Sequence, residues 1–256
     1  YKTTIFEKLD QPGGRASVFK QDGFTFDAGP TIVTAPFLLE ELWELCGRKF
    51  SDSVTLKEMN PFYRIRFDTG EFFDYTGDPG KMRDQIRKFS PNEVHKYDEF
   101  MEKAELCYRL GYEDLGNLPY NSLSDLLKSI PSMIRMGAWQ SIYKLVSKYF
   151  KNEQLRQVFS FHPLLIGGDP SAVTCVYSLI AALERRYGVH SAMGGTGAII
   201  SAMVDLYEDI GGTIIYDAEV TKIDVQNRCA KGLYLRSGEY FQSNVIVSNG
   251  DTAWTY

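Results

Sequence analysis

The stretch FEKLDQPGGR, residues 6–15, places an acidic side chain, Glu7, directly after the apolar segment TTIF and follows it with a turn, two glycines and an arginine. An acidic residue at the carboxyl end of a strand in a dinucleotide-binding fold accepts hydrogen bonds from ribose hydroxyls. Glycines let backbone N–H groups approach a pyrophosphate closely, and an arginine pairs with its charge. A polar turn between a strand and a hairpin would have the same composition. Two more glycine segments have a similar character. In FDAGPT, residues 26–31, a strand delivers the chain into Gly-Pro, where backbone rather than side chain meets whatever is adjacent. In GGTGA, residues 194–198, glycine amides at a helix start suit an anion. Both also suit a tight turn.

A dinucleotide fold should carry GxGxxG about 20 residues ahead of the acidic residue. No such motif occurs in the 256 residues, and GGTG precedes a helix without following an apolar strand. The chain opens in mid-strand on Tyr1, so the expectation is that the strand, the glycine-rich loop and the first helix precede it and that this is a fragment. Other chemistry is sparse. His95, His162 and His190 are scattered, and Cys46, Cys107, Cys175 and Cys229 lie far apart without a CxxC pair. That pattern reads as free thiols in a reducing compartment and no metal site. No catalytic dyad stands out.

With 28 Lys+Arg against 33 Asp+Glu and no long run of either sign, the net charge of −5 argues against a nucleic-acid partner. Hydrophobic residues at 44% can fill a core, and the 14% aromatic share suggests large apolar faces to line. No secretory signal opens the chain. The longest nearly apolar run, residues 171–183, is shorter than the roughly 20 residues that cross a bilayer. Any membrane contact is therefore superficial. Residues 133–151, MIRMGAWQSIYKLVSKYFK, mix Trp139, Tyr143, Tyr149 and Phe150 with Arg135, Lys144, Lys148 and Lys151. Such a helix lies in a membrane interface or packs on the domain with solvated lysines.

The elements that must position these residues follow from pattern. Alternation on both sides of Gln21-Asp22-Gly23 predicts a hairpin over 16–27, and FYRIRF and EFFDY predict another over 62–75. PFLLEELWELCG is a helix with proline at its start and Gly47 at its end. From 79 to about 188 nearly everything is helical, with breaks at Pro131 and elsewhere, and 133–151 is read as continuous. A helix from Ala198 to about Ile210 leads through Gly211-Gly212 to short strands, TIIY, EVTKIDV, AKGLYLR and EYFQSNVIVSN. A helix, a glycine turn and an apolar strand form half of a parallel unit.

Taken in order, EKLDQPGGRASVFKQDGFTFDAGPTIVT, NPFYRIRF, LRQVFSFHPLLIGGDPS, YSLIAALERRYGVHSAMGGTGAII and NVIVSNGD resemble bacterial-type phytoene desaturases, within the FAD-dependent amine oxidase-like superfamily. The resemblance runs over essentially the whole chain, and FSFHPLLIGGDPS is its most specific segment. It implies a mixed α/β fold: an incomplete Rossmann-like FAD-binding domain from residues 1–50 and 191–256, with an inserted substrate domain of helices and a β-hairpin, membrane-associated, over 51–190. It further implies that Glu7, with Lys8 beside it, binds the adenosine ribose of FAD. Gly13, Gly14 and Arg15 lie along the pyrophosphate, Gly29, Pro30 and Thr31 approach the isoalloxazine side, and the backbone of Val220 bonds under the adenine.

The implied reaction moves a hydride from an allylic C–H to oxidised FAD while a proton leaves the neighbouring carbon, so that a conjugated double bond forms in a long isoprenoid. Such a substrate has no charge to grip and is held by apolar area, at about 25 cal/mol per Å². The stretch His162 to Gly168, with His162, Leu165, Gly167 and Gly168, is expected nearest the substrate. His162 is either a base or a hydrogen-bonded structural histidine. No catalytic acid or base is assigned. The resemblance places the parent protein in the cytoplasm, peripheral to the inner face of the cell membrane. The sequence lacks the family's N-terminal glycine-rich loop and its C-terminal glycine-rich motif, so this polypeptide alone is expected to bind FAD poorly. A diapophytoene desaturase or a carotenoid ketolase would share nearly every motif. An amine oxidase, or a lipid-binding module without cofactor, are the rival classes.

Overall fold

The computed structural model describes residues 2–116, 118–119 and 121–255. In chain order the strands are β1 Thr4–Phe6, β2 Val18–Gln21, β3 Phe24–Asp27, β4 Leu56–Glu58, β5 Tyr63–Arg66, β6 Phe72–Tyr75, β7 His190–Ala192, β8 Thr213–Ile215, β9 Val220–Gln226, β10 Cys229–Leu235 and β11 Tyr240–Gln242. The helices are α1 Pro36–Leu45, α2 Phe50–Ser53, α3 Pro79–Phe89, α4 Lys96–Tyr108, α5 Leu123–Met136, α6 Ile142–Val146, α7 Glu153–Ser160, α8 Leu179–Tyr187, α9 Thr196–Asp209 and α10 Thr252–Thr255. Contacts divide the chain into two compact units. The first comprises Tyr1–Thr31, Glu40–Leu56 and Ala192–Tyr256, and the second Ile32–Leu39 and Lys57–Ser191. Residues 32–39, which fall in the N-terminal segment of the sequence-based division, thus cluster with the second unit.

In the first unit β1 pairs in parallel with β8, Ile5 opposite Ile214. The return from α9 to β8 passes through Gly211 at φ 90° and Gly212, where a Cβ would lie 2.3 Å from the Tyr207 ring. β2 and β3 form a hairpin around Asp22 at φ 51° and Gly23 at φ 81°, both positive, as a two-residue turn that follows strand twist requires. β9, β10 and β11 make an antiparallel meander. Ala218, Leu233 and Leu235 pack there with Phe6, Ile215 and Phe241. The strand expected over 239–249 ends at Gln242; Val245 and Val247 beyond it carry no ladder and are 70% and 87% exposed. An apolar run becomes a strand only where a neighbour takes up its N–H and C=O groups, and no described strand does so.

The second unit is built on aromatic packing. The β5–β6 hairpin sets Tyr63 opposite Tyr75 and Ile65 opposite Phe73. Phe73, Phe100, Phe150 and Phe159 are all fully buried, with Phe150 and Phe159 stacked at 4.6 Å. α3 begins at Pro79 behind Asp78, whose carboxylate accepts the Lys81 N–H at 2.9 Å, the cap chemistry an exposed helix start needs. Two helix boundaries differ from the sequence reading. α5 runs through Pro131, and the stretch 133–151 is broken at Gly137, whose φ of 74° closes α5 before Ser141 caps α6. Ala138 N–H then bonds Met133 C=O, the six-to-one contact of a glycine-terminated helix. Phe150 is buried and Trp139 is exposed, so 133–151 presents no single aromatic face.

Candidate functional site

The first unit draws its glycine segments together. The Phe6 ring packs edge-on against Phe241 at 4.7 Å, which fixes the point where Glu7 leaves the sheet. Glu7 N–H donates to Ile215 C=O at 2.9 Å, and Glu7 C=O accepts from Ala218 N–H at 2.8 Å. Its Oε1 accepts the Leu9 N–H at 2.9 Å, whereas Oε2 has no donor among the described residues. Lys8 is exposed. Val220 stands two residues beyond Ala218, opens β9 opposite Leu235 and is 38% exposed. Glu7 and Val220 therefore share one locality, joined through Ala218.

Gly13 and Gly14, with φ of 115° and 51°, turn the chain into the short helix Gly14–Ala16. At these angles a side chain would be strained. A Cβ on Gly14 would meet open space, and Arg15 extends with its side chain 95% exposed, 3.6 Å from the Asp251 carboxylate. Gly29 closes on this turn: a Cβ there would lie 2.0 Å from the Arg15 carbonyl oxygen. Only hydrogen lets the segment through Pro30 and Thr31 lie against the Gly-Gly-Arg turn.

GGTGA is the third member of this cluster. The Thr196 hydroxyl donates to Pro30 C=O, and its N–H donates to Asp27 Oδ1 at 3.1 Å. A Cβ on Gly195 would lie 2.9 Å from that same carboxylate oxygen, and one on Gly197 would lie 2.8 Å from Val18. The anion at the α9 N-terminus is thus the protein's own Asp27, where the sequence left open a bound one. Asp27 and Thr196 were missed because nothing local links them. The available signal was a helix start with Gly195 at its cap position, which leaves N–H donors in search of an acceptor.

In the second unit His162 is fully buried and opens a short helical turn, His162–Ile166. Its Nε2 lies 3.1 Å from Oε2 of Glu184, itself fully buried, and Tyr63 donates its hydroxyl to Glu184 Oε1 at 2.6 Å. Burial, and then the neighbouring Glu184 carboxylate, push the Tyr63 hydroxyl far above its ordinary range, so it holds its proton for that bond. The Tyr75 ring stands edge-on to His162 at 5.6 Å, its hydroxyl likewise raised by burial. On the outside of the same turn Leu164, Leu165 and Ile166 are 60%, 46% and 60% exposed. Gly167 at φ 74° ends it, and a Cβ on Gly168 would lie 2.8 Å from Val173. Leu165, Gly167 and Gly168 are brought to one surface, with His162 beneath them.

A lycopene-forming phytoene desaturase of Pantoea ananas is 39% identical over 252 residues, covering 98% of this chain and 51% of that protein. A neurosporene-forming phytoene desaturase of Rhodobacter capsulatus is 43% identical over 257 residues, covering 100% of this chain and 49% of its own length. The chain therefore spans about half the length of these relatives. Among solved structures, a putrescine oxidase triple mutant superposes with a TM-score of 0.61 at 14% identity, over 94% of this chain and 50% of that one. A Pyrococcus furiosus protein gives 0.59 at 20% identity, over 93% and 50%. These likenesses show that the mixed helix-and-strand architecture is a fold shared with those structures. The profile of flavin containing amine oxidoreductases matches residues 1–251, and the chain belongs to that family.

Proposed function

We propose that the protein is an FAD-dependent desaturase that introduces conjugated double bonds into phytoene. One observation carries this reading: identity of 39–43% to phytoene desaturases extends over 98–100% of the chain. It therefore takes in the second unit, residues 32–39 and 57–191, as well as the first.

The first unit's residues fit FAD. Glu7 retains an acceptor oxygen for ribose hydroxyls, Lys8 stands beside it, and Gly14 faces open space with Arg15 extended next to it. In this reading Gly13, Gly14 and Arg15 hold the pyrophosphate, the Val220 backbone meets the adenine, and Gly29, Pro30 and Thr31 line the isoalloxazine side. Bound FAD supplies the hydride acceptor, so the protein's task is to bind, orient and keep water out. Asp27 and Thr196 hold the glycine segments in register without touching the ligand.

The second unit supplies the apolar surface for the isoprenoid, with Leu165, Gly167 and Gly168 in contact with it. His162 positions that turn through Glu184. The substrate's solubility in lipid supports a peripheral association with the inner face of the cell membrane. No helix among the described residues is long and apolar enough to cross one.

Expression of the full-length protein in a phytoene-producing host tests the reading. Conjugated, coloured products at the expense of phytoene are the expected result. A flavin-carrying protein that leaves phytoene untouched would reject the substrate while keeping the cofactor assignment.

A further inference from the structure

We propose that Asp217 is a positioning residue for the cofactor: its left-handed backbone, and not its carboxylate, fixes Glu7 as the acceptor that meets the ribose. The inference rests on the FAD reading above and deepens it with a residue to which that reading gives no role. Among the described residues four other than glycine have a positive φ: Asp22 at 51°, Asp217 at 53°, Asn227 at 51° and Arg228 at 64°. Asp22 sits in the tip of the β2–β3 hairpin, and Asn227 with Arg228 forms the tip between β9 and β10. Two-residue hairpin turns of this kind require such angles. Asp217 sits in no hairpin tip. It lies on the link from β8, which pairs with β1, to β9, which pairs with β10, so a different demand holds it there.

The hydrogen bonds show that demand. Along an extended strand the N–H groups of successive residues face opposite neighbours. Those of Asp217 and Ala218 instead reach one segment: Asp217 donates to Leu9 C=O at 3.0 Å and Ala218 to Glu7 C=O at 2.8 Å. A left-handed residue breaks the alternation, as in a glycine-led β-bulge. With Glu7 N–H on Ile215 C=O, three bonds clasp Glu7–Leu9. Leu9 N–H, so placed, is the donor that holds Glu7 Oε1 at 2.9 Å and leaves Oε2 for a ligand. The link is anchored on its far side as well. Ala218 is 3% exposed in the cluster with Phe6, Leu233 and Leu235, and Glu219 C=O accepts Arg236 N–H at 2.8 Å. Strain at one residue persists where its surroundings over-determine it. The Asp217 side chain is exposed and has no hydrogen bond or ion pair among the described residues. Its type follows from the backbone alone, because aspartate and asparagine are the non-glycine residues that best tolerate the left-handed region, and β-branched residues tolerate it least.

The test is a titration of the full-length protein, freed of flavin, with FAD and with ADP as a probe of the adenosine end. Asp217→Gly and Asp217→Asn are expected to bind both like wild type. Asp217→Val is expected to weaken both about tenfold and to speed amide exchange at Leu9 in the flavin-free protein. Where the valine variant does not fold, Asp217→Ala carries the same prediction at a smaller loss. In a Glu7→Ala background Asp217→Val is expected to add no further loss, because the group it positions is already gone. Wild-type affinity in the valine variant, with Leu9 exchange unchanged, overturns the proposal. About tenfold weaker binding by the glycine or asparagine variant overturns it in favour of a carboxylate that itself touches the ligand. Losses that multiply in the double variant overturn it in favour of general damage to the unit. The FAD reading is tested separately by Glu7→Ala alone. If that variant binds FAD and ADP like wild type, the ribose assignment falls and this proposal with it; if it binds weakly while no Asp217 variant does, only this proposal falls.

Discussion

The two units of the chain differ in how they treat their apolar residues. Apart from Trp43, the largest fully buried side chains, Phe73, Phe100, Phe150, Phe159, Met82 and Leu155 among them, belong to the second unit. In the first, Phe19 and Phe26 stack at 5.0 Å yet remain 49% and 44% exposed, and Ile5 in the parallel pair is 45% exposed. The second unit holds its shape by side-chain packing, which sets the Leu164–Ile166 turn and α5 on a rigid base. The first holds its shape where polar groups fix the backbone, at Gly29 close on the Arg15 carbonyl, at the Thr196 hydroxyl on Pro30 C=O and at the Asp27 carboxylate on Thr196 N–H. A polar, extended cofactor is best gripped by such backbone, and a featureless hydrocarbon by a firm apolar wall.

Substitutions that strike one unit and spare the other measure how far this division holds. Glu184→Ala should have the largest effect. It strips the Tyr63 hydroxyl and His162 Nε2 of their buried partner, and losing one member of a buried set costs about 3–5 kcal/mol. Chemical unfolding should show the loss, with FAD affinity per folded molecule unchanged; an equal fall in affinity would break the division. Gly29→Ala should act on the other unit, because its Cβ would lie 2.0 Å from the Arg15 carbonyl and the turn must shift. A fall in FAD affinity of at least tenfold, about 1.4 kcal/mol, is expected in a titration, with the unfolding of the aromatic core unaltered.

Thiol labelling compares the units without mutation. Cys229 is exposed and Cys46 half-buried, both in the first unit, whereas Cys107 and Cys175 of the second are buried. Burial also pushes the Cys175 thiol up to about 11, so it stays protonated at neutral pH and unreactive. Peptide mapping after brief alkylation should find Cys229 modified first and the second-unit pair only after unfolding. The smallest effect concerns Asp74, whose carboxyl the hydrogen-bonded Arg64 holds below its usual range. Its contribution is present above the ordinary carboxylate pKa and is lost as pH falls through the lowered value. Asp74→Asn should therefore narrow the difference in stability between neutral and strongly acidic pH, by a margin that exposure of the pair keeps slight.

What could be read from sequence was local. Asp22-Gly23 announced its turn, and Pro36 and Gly47 the two ends of α1, because each rests on a backbone preference of one or two residues. Gly137 carried the same kind of signal and was passed over, since the aromatic and basic pattern of 133–151 read as one helix. Pro131 misled in the other direction: proline removes one N–H, and α5 tolerates that loss. The meeting of Asp27 with Thr196, and of Tyr63 with Glu184, spans 169 and 121 residues and has no local signature. FEKLDQPGGR and DAGPT each read from sequence as either a turn or a loop that meets a ligand. That Gly29 seats one upon the other was legible only in three dimensions.

The central claim is that Glu7 and Arg15 hold the cofactor and take no part in its chemistry. Its most direct test is FAD reconstitution of the full-length protein with Glu7→Ala and Arg15→Ala, followed by turnover at saturating FAD. The account predicts a weaker Kd for FAD in each variant and a kcat equal to wild type once the cofactor is saturating. An unchanged Kd with a reduced kcat would contradict it.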